Sequence, residues 1–391
     1  NRIEESPTLA ITAKAIQLKA EGRDIIALAA GEPDFDTPDF IKKAAIKAID
    51  DGFTKYTPVS GTASLKQAVI EKFRNDNGLD YKSSEIVVSV GGKQSIFNLC
   101  LAILEDGDEV IIPAPYWVSY TDIVNLTGAS PIVIKCDINQ NFKITPEQLK
   151  QSITSKTKLV FINSPSNPTG AVYNKEELRA LANVLIEYPH IYIGTDDIYE
   201  HINLTEEPFN NILMIEPKLR DRVIILNGVS KAYSMTGWRI GFAAGPQEII
   251  SAMSKLQSQS TSNPTSIAQV AAEAALKGGK ECMAPMIKAF KDRHDFVLER
   301  LNGIDGFRCI PAEGAFYAFT DANEAIKNLY EAKKIKEAND LSLTEYLLES
   351  QGVAIVPGSA FGLDDYFRIS FATSMENLVE SMTRIKKAIE G

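Results

Sequence analysis

Short apolar runs and longer stretches of helical period alternate along most of the chain. EIVVSV (85–90), DEVIIP (108–113), PIVIK (131–135), KLVFIN (158–163), IYIGTD (191–196), VIILN (223–227) and IGFAAG (240–245) read as short buried strands. Stretches of helical period, such as QSIFNLCLAIL and KEELRALANVLIE, separate most of them. This alternation predicts an α/β fold with a mainly parallel sheet. In such sheets ligands bind beyond the carboxyl ends of the strands.

MAPMIKAFKDRHDFVLERL (283–301) predicts one long helix. After it the pattern changes to a smaller α+β unit, with CIPAEGAFYAF, a polar helix-prone stretch over 321–344, then GVAIVPGSAFG and YFRISFA. The expected division is a large domain over 41–290, with 1–40 and 291–391 forming an N-terminal arm and a small domain.

Composition narrows the function classes. The 391 residues are 45% apolar and 24% charged, ordinary for a globular protein, and carry a formal charge of -10. That charge argues against nucleic acid or an anionic membrane as a partner. The basic run KKIK (333–336) has acidic flanks and reads as a solvated helix face. Cys100, Cys136, Cys282 and Cys309 form no C-x-x-C and read as buried thiols of a reducing compartment. No apolar run approaches the length of a membrane span, so the expected location is the cytoplasm.

Candidate chemistry centres on NGVSKAYSMTGWRIG (227–241), which places Lys231 just past an apolar strand and Arg239 shortly after it. An ordinary lysine is neutral in only about one molecule in a few thousand at pH 7. Desolvation or a neighbouring cation would make it a nucleophile or base. Arg239 would need an anionic partner, for which a ligand phosphate is suited. An amine beside a phosphate site suggests a phosphorylated aldehyde as ligand, although on sequence order alone a structural lysine is the better reading. Other chemistries find little support. Around SVGGKQS (89–95), Val87 just upstream stands where a Walker A loop needs its first glycine, and Gln94 where it needs Ser or Thr. GVSKA is only part of a G-x-S-x-G elbow, and three histidines without H-E-x-x-H make a zinc site or a Ser-His-Asp triad a poor fit. His190 and His294 read as surface residues; His201, after IYE, is the histidine placed near a possible site.

SPSNPTG (164–170), TDDIYE (195–200) and the Lys231 stretch each follow a predicted strand and can converge on one sheet edge. Together with AAGEPDFDTP, KYTPVSG, VGGKQ, PAPYWVSY, EGAFY, VPGSAFG and FRISFATS, in this order, they span nearly the whole chain. The chain resembles the fold-type I pyridoxal-phosphate enzymes, and among them the class I aminotransferases of the bacterial aspartate/prephenate branch. The resemblance implies pyridoxal 5'-phosphate as cofactor, with Lys231 as the Schiff-base lysine that then moves the substrate proton. Asp196 would pair with the pyridinium N–H and keep the ring an electron acceptor. Asn167 and Tyr199 would bond its phenolic oxygen, and Trp117 would stack on its face. Gly92, Ser230 and Arg239 would hold the phosphate at a helix start. Tyr56 would reach that phosphate from a neighbouring subunit, which implies a homodimer with shared active sites.

For the substrate, the resemblance implies that Arg368 binds the α-carboxylate and that Gly31 lets a backbone amide approach the same group. Lys93 would read an acidic side chain, so the expected reaction moves the amino group of L-aspartate to 2-oxoglutarate by a ping-pong mechanism, with prephenate as a further substrate. Singly, each residue has a plainer reading. Asn167-Pro168 and Gly170 could be a turn, Trp117 a core aromatic, Asp196-Asp197 a solvated acidic turn, and Arg368 a surface residue after an edge strand. Asp197 stands where many relatives have Glu. A lyase on the same fold and a transcription regulator built on it are the competing classes; the motifs begin almost at residue 1, which disfavours the regulator.

Overall fold

The computed structural model describes residue 3 and residues 7–391. Among the described residues there are thirteen strands: β1 (Ile26–Ala27), β2 (Ile86–Ser89), β3 (Glu109–Ala114), β4 (Ser130–Lys135), β5 (Thr157–Asn163), β6 (Tyr192–Asp196), β7 (Val223–Gly228), β8 (Gly241–Ala244), β9 (Arg308–Cys309), β10 (Tyr317–Asp321), β11 (Val353–Ala354), β12 (Val356–Pro357) and β13 (Tyr366–Ser370). Seven of them form one sheet in the order β2-β8-β7-β6-β5-β3-β4. These are the seven apolar runs read from the sequence. Only β8 runs against its neighbours, pairing antiparallel with β7 and β2; β3 to β7 pair in parallel. The expected mainly parallel α/β architecture is present.

Both faces of this sheet are covered, which is why its strands read as continuous apolar runs. Leu159 and Phe161 of β5 pack into one core layer with Ile224 and Leu226 of β7. Their neighbours Val160, Ile162, Val223 and Ile225 pack into the layer on the opposite face. The alternation is the two-residue period of a strand. At the edge, β4 is only partly buried and accommodates Pro131, whose missing N–H would interrupt a central strand.

The long helix expected over 283–301 runs Ala284–Asn302. Met286, Phe290, Val297 and Leu301 line one face of it and pack against Tyr317 of β10, Phe367 and Ile369 of β13, and Leu378, Met382 and Ile385 of the C-terminal helix Met375–Glu390. A second sheet, β12-β13-β10-β9, belongs to this region, and β1 pairs in parallel with β11 in a separate two-stranded sheet. These contacts support, as a proposal, the division into 41–290 and 1–40 with 291–391.

Two expectations need correction. His294 is not at the surface: it lies on the buried face of the long helix, its Nε2 accepting the Ala312 N–H at 2.9 Å. The run of charges around it marks the other faces of the same helix. KKIK is not a helix face either, because residues 332–339 form an irregular link between the helices Asn323–Glu331 and Asp340–Gln351. Lys333 there has φ 58°, and Ile335 is buried. The four cysteines are free thiols, three buried and Cys282 half-buried. Among the described residues, no helix is long and apolar enough to cross a membrane.

Candidate active site

β2, β5, β6 and β7 all end at one edge of the large sheet. Asn163, Asp196 and Leu226 stand side by side there, at the ends of adjacent strands. Beyond that edge lies a cavity of about 400 Å³. Lys231 enters it from the turn after β7, and Asp196 from the end of β6. Gly92, Lys93 and Trp117 form one wall; Asn167, Tyr199 and Ser230 line it as well. Gly31, Arg239 and Arg368 complete the group expected from the sequence. Tyr56 alone is elsewhere, 93% exposed on the surface.

Lys231 is half-buried, and its Nζ donates to the Gly31 carbonyl. Burial is the main cause that lowers its pKa, to about 8; the Arg368 and Arg239 cations add to this, while Glu32 and Asp196 oppose it. Both causes expected for an activated lysine are therefore present.

Asp196 is buried, and its Oδ2 accepts the Tyr120 hydroxyl at 2.6 Å while Oδ1 accepts the Ile198 N–H at 3.3 Å. Burial raises its pKa to about 6, against these two hydrogen bonds and the Lys231 charge. Asp197 points away into a second polar cluster, accepting from Thr195 at 2.6 Å and Asn211 at 2.7 Å. The solvated acidic turn is thus excluded for both residues.

Arg368 sits within β13, between β10 and β12, and is 2% exposed. Its Nη1 donates to Asn167 Oδ1 at 2.9 Å and its Nη2 to the Ala29 carbonyl at 2.6 Å. The Nε has no partner. A buried cation that lines a cavity and has no carboxylate partner of its own suits an anionic ligand. Tyr317 packs its ring 4.4 Å from the guanidinium and shares a 2.8 Å hydrogen bond with Tyr199.

The helix Gly92–Ile103 opens at the cavity wall without a side-chain cap. Its first N–H groups are therefore available to a ligand anion. Gly91 has φ 84°, and a Cβ there would collide with the Arg239 guanidinium. Glycine at this position is what allows Arg239 to lie against the helix start. Lys93 stands 5.0 Å over the Trp117 ring, its pKa lowered by burial and then by Arg239.

His201 does not reach the cavity. It bonds Asp76 and Glu200 on the far side of the Asp196 turn, each at 3.3 Å. These three residues have metal-ligand chemistry, but Lys72 and Lys280 already place ammonium groups against their carboxylates. That cluster neutralises itself.

Sequence reasoning passed over Tyr120, Tyr317 and Asn163. The first two lie inside quoted motifs, PYWVSY and EGAFY, so a signal existed without a role. Asn163 accepts the Asn167 N–H at 2.8 Å and donates to the Asp196 carbonyl at 2.8 Å, tying two site turns together.

A half-buried lysine, a buried carboxylate and a buried arginine converging at the strand ends of this fold define an aminotransferase class. Residues 23–385 match the family described as Aminotransferase class I and II, and the chain belongs to it. Among particular relatives, it is 58% identical to the aspartate/prephenate aminotransferase of Nitrosomonas europaea, over 98% of this chain and 96% of that one. It is 51% identical to the aspartate/prephenate aminotransferase of Cereibacter sphaeroides, over 100% and 97%. Its structure is similar to the aspartate aminotransferase of Rhizobium meliloti, with a TM-score of 0.94 and 46% identity over 99% of this chain and 97% of that one. It is also similar to the Thermus thermophilus aspartate aminotransferase with maleate, with a TM-score of 0.92 and 41% identity over 99% and 97%.

Proposed function

We propose that this chain is an aspartate aminotransferase that moves the amino group of L-aspartate to 2-oxoglutarate, with pyridoxal 5'-phosphate as cofactor and prephenate as a further substrate. The observation that carries the reading is Lys231, Asp196 and Arg368 in one cavity, each held where desolvation disfavours its charge. The residues fit the cofactor. The uncapped helix start with Arg239 beside it suits the phosphate, Asp196 suits a ring N–H, and Lys231 suits the aldehyde. Arg368 holds Asn167 by its Oδ1, which leaves the Asn167 amide and the Tyr199 hydroxyl to hydrogen-bond the phenolic oxygen. When bound, pyridoxal phosphate supplies an electron sink for the C–H bond next to the substrate amine.

This chain's own residues do the rest. Arg368 binds the α-carboxylate through its guanidinium donors, which line the same cavity as Lys231. Lys231, as a neutral amine, takes the proton from the substrate α-carbon at its Nζ and returns it at the second carbon. The hydrogen bond to Gly31 keeps that Nζ at the cavity mouth. Asp196 holds the ring proton in place.

Relatives' names and the bound maleate, a dicarboxylate, support an acidic substrate. A panel of amino donors tested with 2-oxoglutarate checks the reading. Aspartate should give oxaloacetate and glutamate, and release of ammonia instead would favour lyase chemistry.

A dicarboxylate needs a second cation besides Arg368, and we assign that part to Lys93, which lines the same cavity. Lys93→Ala should raise KM for aspartate about tenfold or more, in line with a lost charge-assisted hydrogen bond, and change an uncharged aromatic donor much less. Equal losses for both donors would assign Lys93 to the cofactor.

The homodimer belongs to the same proposal. Ile46 and Ile49, 57% and 51% exposed, and Phe53 form an apolar surface that leads to Tyr56. The loop beneath Tyr56 is held from inside: Ser266 donates to the Phe53 carbonyl, Gln269 to Thr57, and Gln257 to the Val59 carbonyl. A rigid loop that presents a bare tyrosine suits a second subunit's phosphate site. Tyr56→Phe should weaken pyridoxal phosphate binding about tenfold without lowering the melting temperature. Unchanged affinity would remove Tyr56 from the site.

A further inference from the structure

The roles above leave Tyr120 unused, although it makes the shortest contact to Asp196. The geometry points to Tyr120 as the positioning residue that holds Asp196 as an ionised acceptor for the ring proton. This rests on the reading of Asp196 as the ring's partner.

Tyr120 is 1% exposed, and its hydroxyl lies 2.6 Å from Asp196 Oδ2. An ionised carboxylate only accepts, so the phenol is the donor. With Oδ2 bonded to Tyr120 and Oδ1 to the Ile198 N–H, the carboxylate plane cannot turn freely. The phenol is held by two ring contacts and by a backbone hydrogen bond of its own residue. Its ring stacks on Phe161 at 4.7 Å with 8° between planes, and meets the Trp117 edge at 5.4 Å and 82°. The Tyr120 backbone N–H donates to the Trp117 carbonyl at 3.0 Å. One turn therefore places both the aromatic wall of the cavity and the support of the carboxylate.

The charge state follows from the same contacts. Burial disfavours the Asp196 anion, and the Tyr120 bond is foremost among the contacts that oppose this, ahead of the Ile198 N–H and the Lys231 ammonium. Tyr199 and Cys100 are the other titratable groups beside this pair. Burial holds the Tyr120 phenol well above its ordinary range, so it remains a donor throughout neutral pH. Without it, Asp196 would take up a proton near neutrality, and a neutral acid does not hold a ring N–H⁺.

The test is Tyr120→Phe in the full chain loaded with pyridoxal phosphate, read by the pH midpoint of the visible absorbance of the lysine–cofactor link. A ring that loses its proton makes that link more basic. A hydrogen bond to a charged group corresponds to about one to two pKa units. The midpoint should rise by about that amount in Tyr120→Phe, and at least as far in Asp196→Ala. The pyridoxal phosphate dissociation constant, read separately on cofactor-free protein, should rise about tenfold. Phe161→Leu keeps the hydroxyl but loosens the packing, and should lower the melting temperature without moving the midpoint. If Asp196→Ala moves the midpoint and Tyr120→Phe does not, the inference is overturned while the reading of Asp196 stands. If neither moves it, that reading falls and takes the inference with it. If Phe161→Leu moves it equally, Tyr120 acts through packing alone, and the inference is again overturned.

Discussion

Lys231→Ala is expected to reduce turnover by more than about 10⁴-fold, the upper end of what one general base contributes, because the same Nζ serves as base and as covalent anchor. The purified variant should lose the pH-dependent visible absorbance of the lysine–cofactor link and any link that borohydride can trap. It should still hold cofactor through the helix start, Arg239 and Asp196. Normal turnover, or a trappable link in the variant, would end the assignment. The cofactor-free protein provides an independent check through stability. Lys231 titrates at about 8 when folded, below the ordinary lysine value. The unfolded chain therefore binds more protons between those two values, and stability rises with pH across that window. Lys231→Met should accordingly raise the melting temperature of the cofactor-free protein at pH 7. The gain should shrink as pH climbs from about 8 toward the ordinary lysine value. A gain independent of pH would mean that packing, and not a desolvated amine, is its source.

Asp196→Ala is expected to lower kcat by at least about 10³-fold, as for loss of a preorganised electrostatic partner, because an unprotonated ring is a poor electron acceptor. The phosphate contacts are untouched, so cofactor retention should suffer less than in Arg239→Ala. Activity equal to that of the parent would contradict the role of this carboxylate. Here too the sign can be checked on the cofactor-free protein. The folded pKa of about 6 lies above the ordinary carboxylate value, so stability is lost as pH rises through 6. Asp196→Asn should stabilise the cofactor-free protein above about pH 6 and lose that advantage in acid. Both substitutions express the same physics: the site keeps charges where burial disfavours them, and the fold is less stable for it.

Much of this was legible before any coordinates. The seven strands of the large sheet could be read because a sheet covered on both faces demands continuous apolar runs, and VIIL or KLVF has few other uses. Strand-end motifs could be placed near one another because parallel strands share an edge. The roles of Lys231, Asp196 and Arg368 came from a resemblance in motif order; their residue types alone admitted plain structural readings. Other features were not legible. His294 looked exposed because charged neighbours surround it in sequence, yet a helix turns successive residues about 100° apart, and the angle decided its burial. KKIK looked helical by composition, and tertiary packing of Ile335 overrode that preference.

What the sequence by itself determined is the alternation of elements, the mainly parallel sheet, and the set of chemical groups at its strand ends. Those depend on local period and composition, which each segment carries within itself. The tertiary structure alone decided which groups share a low-dielectric space. Asp196 and Asp197 are adjacent in sequence, yet one faces the cavity with Tyr120 and the other turns to Thr195 and Asn211. Arg368 and Asn167 are 201 positions apart, and their 2.9 Å contact exists because β13 is carried to the mouth of the large sheet. The pKa values of Lys231 and Asp196 belong to the same category, since desolvation depends on everything packed around a charge and on nothing in its own segment.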